Sequence, residues 1–193
     1  MIINHVSNLT KKDQKVMKNI FKNFDYSHFK DIDFPKEGSI EFEDEINLLN
    51  ELPFNESFVI YNDDIIECFK DLFVKEGISF PDKTIKTLID NSRPIIVDLK
   101  NYHNRPRPWN YTENKNVLKL GSMATPAFPS GHSTQAELIS KFLSKYYPNL
   151  QNQLNKISKN VSASRNIARA HYPSDSNVGR LLGKEMSDFL TQS

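Results

Sequence analysis

The chain has 193 residues, 38% of them hydrophobic and 25% charged, with a formal net charge of +1. That balance excludes a disordered chain and leaves enough residues to bury one proper core. A lone cysteine, Cys68, excludes an intrachain disulfide and fits a reducing compartment; it is expected to be a small buried residue on a helix.

Taken in order, residues 10–24 read as a helix, with Val16, Ile20, Phe21 and Phe24 at helical spacing. Residues 29–56 are acidic and broken by Pro35, Gly38 and Pro53, a loop with one short helix over Glu41–Leu49. Residues 57–76 predict a further helix, with Ile65, Ile66, Phe69, Leu72 and Phe73 on one stripe and Gly77 ending it. Asp82 is the expected N-cap of a helix to Asn91, Arg93-Pro94 interrupts, and a helix resumes from Pro94 to Asn104. Arg105-Pro106-Arg107-Pro108 cannot continue it, and residues 109–129 read as loop. Helices are expected over 131–147, 150–171 and 174–191. Alternating strand patterns are essentially absent, so the predicted class is all-α, in a single domain over residues 1–193.

No stretch approaches the roughly 20 apolar residues that span a bilayer, and Met1–Thr10 lacks the apolar run of a secretory signal. A soluble, cytoplasmic chain is the expectation. Charge is uneven: residues 1–92 carry 11 Lys+Arg against 18 Asp+Glu, whereas residues 93–193 carry 14 against 6. A basic back half suits handling of an anion; two faces attracting each other is the plainer reading.

Three clusters in the basic half carry chemistry: Lys100 with Arg107-Pro108, then Pro129-Ser130-Gly131-His132, then Ser164-Arg165 with His171 and Asp175. Each alone reads as structure: cations at a helix end, a turn and cap at Ser130, and an i,i+4 pair of His171 with Asp175. Together they describe a phosphoryl site. A transferring phosphoryl group spreads negative charge over three oxygens, and fixed donors must meet it. Lys100, Arg107 and Arg165 supply cations, the Arg forks matching phosphate oxygens. Ser130 and Gly131 open a helix whose start favours an anion. His171, oriented by Asp175, is the expected nucleophile, and His132 the expected acid. His5, His28 and His103 have no carboxylate at such spacing and read as ordinary.

In this order the clusters resemble the signature of the type 2 phosphatidic acid phosphatase superfamily, which includes bacterial class A acid phosphatases, lipid phosphate phosphatases and vanadium-dependent haloperoxidases. The resemblance covers residues 95–190, including Gly179-Arg180; residues 1–90 carry no such motif. It implies a compact helical bundle and a phosphohistidine mechanism with His171 as nucleophile, Asp175 as its orienter and His132 as acid and base. It implies Lys100, Arg107, Ser130, Gly131 and Arg165 as phosphate ligands. Of the two Arg-Pro pairs, only Arg107 keeps the six-residue gap after Lys100; Trp109 stands where Phe is more usual.

The expected activity is metal-independent, acid phosphatase-like hydrolysis of phosphate monoesters, with pyrophosphate or lipid phosphates as further candidates and inhibition by vanadate. The expected partner is a phosphorylated small molecule, with no nucleic acid and no cofactor. Two alternatives stand beside it: a haloperoxidase, in which vanadate would be the cofactor, and a phosphate-binding module without turnover. The histidines and Asp175 are superfluous for the latter. The loop 109–128 and the N-terminal part are expected to wall the entrance, with Trp109, Tyr111, Phe128 and Tyr172 as aromatic lining or packing.

Overall fold

The computed structural model describes residues 19–113, 118 and 120–191. Among them the chain forms seven α-helices and no strand. These are α1 (Ile40–Glu51), α2 (Glu56–Tyr61), α3 (Ile65–Lys75), α4 (Asp82–His103), α5 (Gly131–Tyr146), α6 (Gln151–Ile167) and α7 (Pro173–Thr191). The all-α class read from the sequence is the class the chain adopts.

Several boundaries differ from expectation, each for a local reason. The predicted helix over 10–24 lies outside the described residues up to 18. From 19 to 23 the chain forms turns, closed by Lys22 N to Asn19 O and Phe24 N to Phe21 O. Residues 57–76 are two helices, because Asn62, Asp63 and Asp64 offer the backbone competing partners. The Asn62 amide and side chain both donate to Phe58 O, ending α2, and Asp64 Oδ1 accepts from Glu67 N at 3.1 Å, starting α3.

Pro94 does not interrupt: α4 runs unbroken, and Asp82 is its first residue, with Pro81 before it. An internal proline costs about 3 kcal/mol. Burial of Ile85, Leu88, Ile95, Ile96 and Leu99 along the same helix, at about 1.5–3 kcal/mol each, outweighs that. The helix predicted over 150–171 stops at Ile167, and Arg169 turns the chain at φ 56. That strained turn is held from within: the buried Arg169 guanidinium donates to Ile167 O (2.7 Å) and to Leu52 O (2.8 Å).

α5 is the central helix, packed on α7 and α6. Two glycines of α7 make the closest approach possible. A Cβ on Gly183 would fall 2.2 Å from Thr134 O, and one on Gly179 2.5 Å from Ser130 O. This contact sets the start of α7, with Asp175, against the start of α5, with Ser130 and His132. Buried Glu137 of α5 joins the layers, accepting from Ser158 of α6 (2.6 Å) and Arg180 of α7 (3.1 Å). Cys68 is buried, its thiol directed at Tyr61 O, and burial pushes its pKa up to about 11. Among the described residues no helix is long and apolar enough to cross a membrane.

Candidate active site

Three chain reversals bring the three clusters together. Asn104, left-handed at φ 48, ends α4 just beyond Lys100 and releases the arm that carries Arg107. The 125–130 segment leads into α5, and Ser130 N donates to Asp175 O (3.0 Å), tying that entry to α7. The Arg169 turn delivers His171 between α6 and α7, its amide and that of Ala170 reaching back to Arg165 O.

The result is a buried group of charges. His171 is 3% exposed and Asp175 fully buried. His171 Nδ1 lies 3.2 Å from Asp175 Oδ2, and its Nε2 lies 3.1 Å from Arg107 Nη1. A guanidinium only donates. Nε2 is therefore the acceptor, the proton sits on Nδ1 facing the carboxylate, and the Nε2 lone pair faces the cations. Burial, then the charges of Lys100 and Arg107, push the His171 pKa well below the ordinary 6.5, which keeps the ring neutral. Asp175 is itself pushed up by burial, against the opposing pull of Arg105 and of the Tyr172 N–H that it accepts at 2.9 Å.

The cations are held by backbone carbonyls. Lys100 Nζ donates to Pro126 O (2.6 Å) and Ala127 O (3.1 Å). Arg107 donates to Thr125 O (2.9 Å) and Ala170 O (2.8 Å). Burial, then Arg107, lowers the Lys100 pKa to about 7; burial lowers that of Arg107 to about 10. Ser130 caps α5 as expected, its hydroxyl oxygen accepting from Ser133 N (3.4 Å) and Ser133 Oγ (2.9 Å). Gly131 follows, its missing side chain leaving room beside Ile96 and Lys100. The first amides of a helix have no partner within it, so this end of α5 presents N–H groups next to the Lys100 side chain.

Asp63 was not anticipated. From the α2–α3 break its Oδ1 reaches Arg165 Nη1 (2.6 Å) and His132 Nε2 (3.1 Å), while its carbonyl also faces His132 Nε2 (3.2 Å). Both atoms accept, so His132 Nε2 carries a proton and Nδ1 is the free ring position. Burial lowers the His132 pKa, and hydrogen bonding to Asp63 opposes it. Arg105, passed over for want of the six-residue gap, binds Asp175 Oδ1 at 2.6 Å. Neither residue has a sequence signal beyond its type, because both act across more than 65 residues of chain.

The remaining expectations divide. Phe128 and Tyr172 are buried packing residues, Tyr111 lies edge-on to Phe42, and Trp109 lies beside Arg107, 5.6 Å from the guanidinium carbon. His28 does have a carboxylate, Glu185, at 3.1 Å, and His103 faces Phe29 O at 2.9 Å; both lie apart from the site residues. His5 lies outside the described residues. Among the described residues no three His, Cys, Asp or Glu side chains gather as metal ligands.

Against known proteins, residues 87–190 match the family model described as the PAP2 superfamily. Among solved structures the chain is similar to the LpxE of Aquifex aeolicus, at 21% identity and a TM-score of 0.60, over 78% of this chain and 94% of that one. It also aligns with a transmembrane PAP2-type phosphatidylglycerolphosphate phosphatase from Bacillus subtilis, at 20% identity and a TM-score of 0.46, over 99% of this chain and 90% of that one. No curated protein sequence matches. At 21% identity the likeness to LpxE speaks for the fold alone, while the family model covers more than half of the chain and contains all three clusters: the protein belongs to the PAP2 superfamily.

Proposed function

We propose that the protein is a phosphatase that hydrolyses phosphate monoesters through a phosphohistidine at His171, without a metal ion. The observation that supports this best is the tautomer of His171, with Nδ1–H on Asp175 and the Nε2 lone pair turned toward Arg107. In the first step Nε2 bonds to phosphorus, the bond to the leaving oxygen breaks, and His132 Nδ1 gives that oxygen its proton. In the second, water attacks phosphorus, His132 takes its proton, the P–N bond breaks and phosphate departs. Arg107, Arg165, Lys100, the Ser130 hydroxyl and the amide of Gly131 carry the charge on the non-bridging oxygens.

The test is turnover of p-nitrophenyl phosphate, then of nucleotides, sugar phosphates, pyrophosphate and lipid phosphates, in excess EDTA. Undiminished hydrolysis is expected, with strong inhibition by vanadate as a mimic of the five-coordinate transition state. Activity lost to EDTA and restored by Mg²⁺ or Zn²⁺ would refute the metal-independent route. Vanadate-supported bromide oxidation by peroxide that rivals ester hydrolysis would favour a haloperoxidase instead.

The pH profile follows from the same groups. In the free enzyme His171 must be neutral and His132 and Lys100 charged. His132 titrates below 6.5 because of burial, so kcat/KM falls as pH rises through its pKa. Lys100 loses its charge around pH 7, removing a phosphate ligand and steepening the alkaline limb. His171, lowered much further, sets the acid limb. A bell with an acidic optimum and an alkaline slope steeper than one proton is expected; a rate still climbing at pH 9 would contradict the assignments.

A further inference from the structure

Behind the His171–Asp175 pair lies a second layer of charge that the three clusters do not include. Arg105 Nη1 donates to Asp175 Oδ1 (2.6 Å) and to Ser174 Oγ (2.7 Å), and its Nη2 donates to Glu45 Oε2 (2.9 Å). Glu45 comes from α1, well outside the residues 87–190 that define the family. Its two oxygens also hold Ser174, accepting from the backbone N at 2.6 Å and from the hydroxyl at 2.9 Å. The guanidinium is 2% exposed and sandwiched between rings, 3.7 Å from the centroid of Tyr172 and 4.6 Å from that of Phe34. Both faces of the fork thus meet an aromatic ring, and both terminal nitrogens meet a carboxylate.

We infer that Arg105, clamped by Glu45, is a positioning residue for catalysis: it keeps Asp175 ionised and aimed, and thereby fixes the attacking tautomer of His171. This rests on the phosphohistidine reading above. A fully buried carboxylate is costly unless paired and hydrogen-bonded. Asp175 divides its two oxygens between tasks: Oδ1 takes Arg105, and Oδ2 takes His171 Nδ1 and the Tyr172 N–H. Arg105 contacts neither His171 nor the phosphate ligands through any bond described above, so it acts through Asp175. The groups facing Asp175 are Arg105 from the arm after α4, Lys100 at the end of α4, and His171 with the Tyr172 amide from the α6–α7 turn. Glu45 of α1 faces it only through Arg105, and Arg107 stands beyond His171. Of these, only Arg105 forms an ion pair at hydrogen-bond distance with an Asp175 oxygen that His171 does not use. Glu45 restrains the far side of the fork, which is how the N-terminal half takes part in the chemistry.

The experiment compares the full chain with Arg105→Gln, Glu45→Gln, Asp175→Asn and the double variant Arg105→Gln/Asp175→Asn. Loss of an orienting partner one shell out typically costs roughly 10–100-fold in activity, so Arg105→Gln should lower kcat by that factor on aryl and alkyl phosphates alike. KM and inhibition by inorganic phosphate should stay within about threefold. Without Arg105 the carboxyl protonates more readily, so the acid limb of kcat/KM should move to higher pH. In the Asp175→Asn background Arg105→Gln should cost almost nothing more, the non-additivity of two residues acting as a unit. Glu45→Gln should act in the same direction and more weakly, which serves if Arg105→Gln does not fold. Nitrogen NMR of His171 provides an arm independent of turnover: Nδ1 protonated in the parent chain, and a mixture of tautomers in Arg105→Gln. An Arg105→Gln cost that persists in full beside Asp175→Asn, or an unchanged His171 tautomer, would overturn the inference. If the parent chain hydrolyses nothing, the phosphatase reading fails and the NMR comparison alone decides the role of Arg105.

Discussion

His171→Ala is expected to abolish hydrolysis of every substrate, by roughly 10⁴-fold or more, the scale reached when a triad member is removed. No neighbour can take its place. The other imidazole, His132, has Nε2 committed to Asp63, and Lys100, with two of its three donors on carbonyls, is an ammonium without a lone pair to attack phosphorus. The variant should still bind inorganic phosphate, because Lys100, Arg107 and Arg165 keep their contacts to Pro126, Ala170 and Asp63, with only the Arg107 contact to the imidazole lost. Strong vanadate inhibition should disappear with the nitrogen that completes the five-coordinate mimic. That combination separates a lost nucleophile from a collapsed site. Rapid quench with ³²P-labelled substrate should trap label on the parent protein and none on His171→Ala. Label trapped on the variant would place the covalent bond elsewhere.

Much of this was legible in the chain because it is local. His171 and Asp175 are four residues apart, Ser130 caps the helix it precedes, and Lys100 and Arg107 flank one helix end; spacing carries all three. The buried stripe of α4 could likewise be read, although its proline suggested two helices: Ile85, Leu88, Ile95, Ile96 and Leu99 are buried along one unbroken helix. Where the reading stopped is residues 40–63. They carry no motif, yet they grip the site at three points: Glu45 on Arg105, Leu52 O on Arg169, and Asp63 on Arg165 and His132. Each contact joins residues 60 to 117 positions apart, and a single carboxylate in an acidic segment looks like any other. The unequal charge of the two halves was the only trace. Its plainer reading, that the acidic half attracts the basic half, matches Glu45–Arg105 and Asp63–Arg165, in which a carboxylate of the first half meets a guanidinium of the second.

His132→Ala should fail differently, and the leaving group should expose the difference. His132 stands at the start of α5, where burial pulls its pKa down while Asp63 holds the proton on Nε2. An ester dianion bound beside it adds negative charge, which favours the doubly protonated ring and so a proton on Nδ1. Removing the imidazole removes that proton and leaves the nucleophile, with its Asp175 and Arg107 contacts, in place. The damage therefore scales with how badly the departing oxygen needs protonation. An alkyl phosphate should slow by ~10²–10⁴-fold, the usual reach of general acid catalysis; p-nitrophenyl phosphate, whose phenolate leaves unaided, should be largely spared in its first step. Hydrolysis of the phosphohistidine needs the same imidazole as a base for water, so His132→Ala should accumulate labelled phosphoenzyme from the aryl ester and show a burst of p-nitrophenol. Equal losses on aryl and alkyl esters, with neither burst nor trapped label, would mean that His132 supports the fold of the site rather than moving the proton.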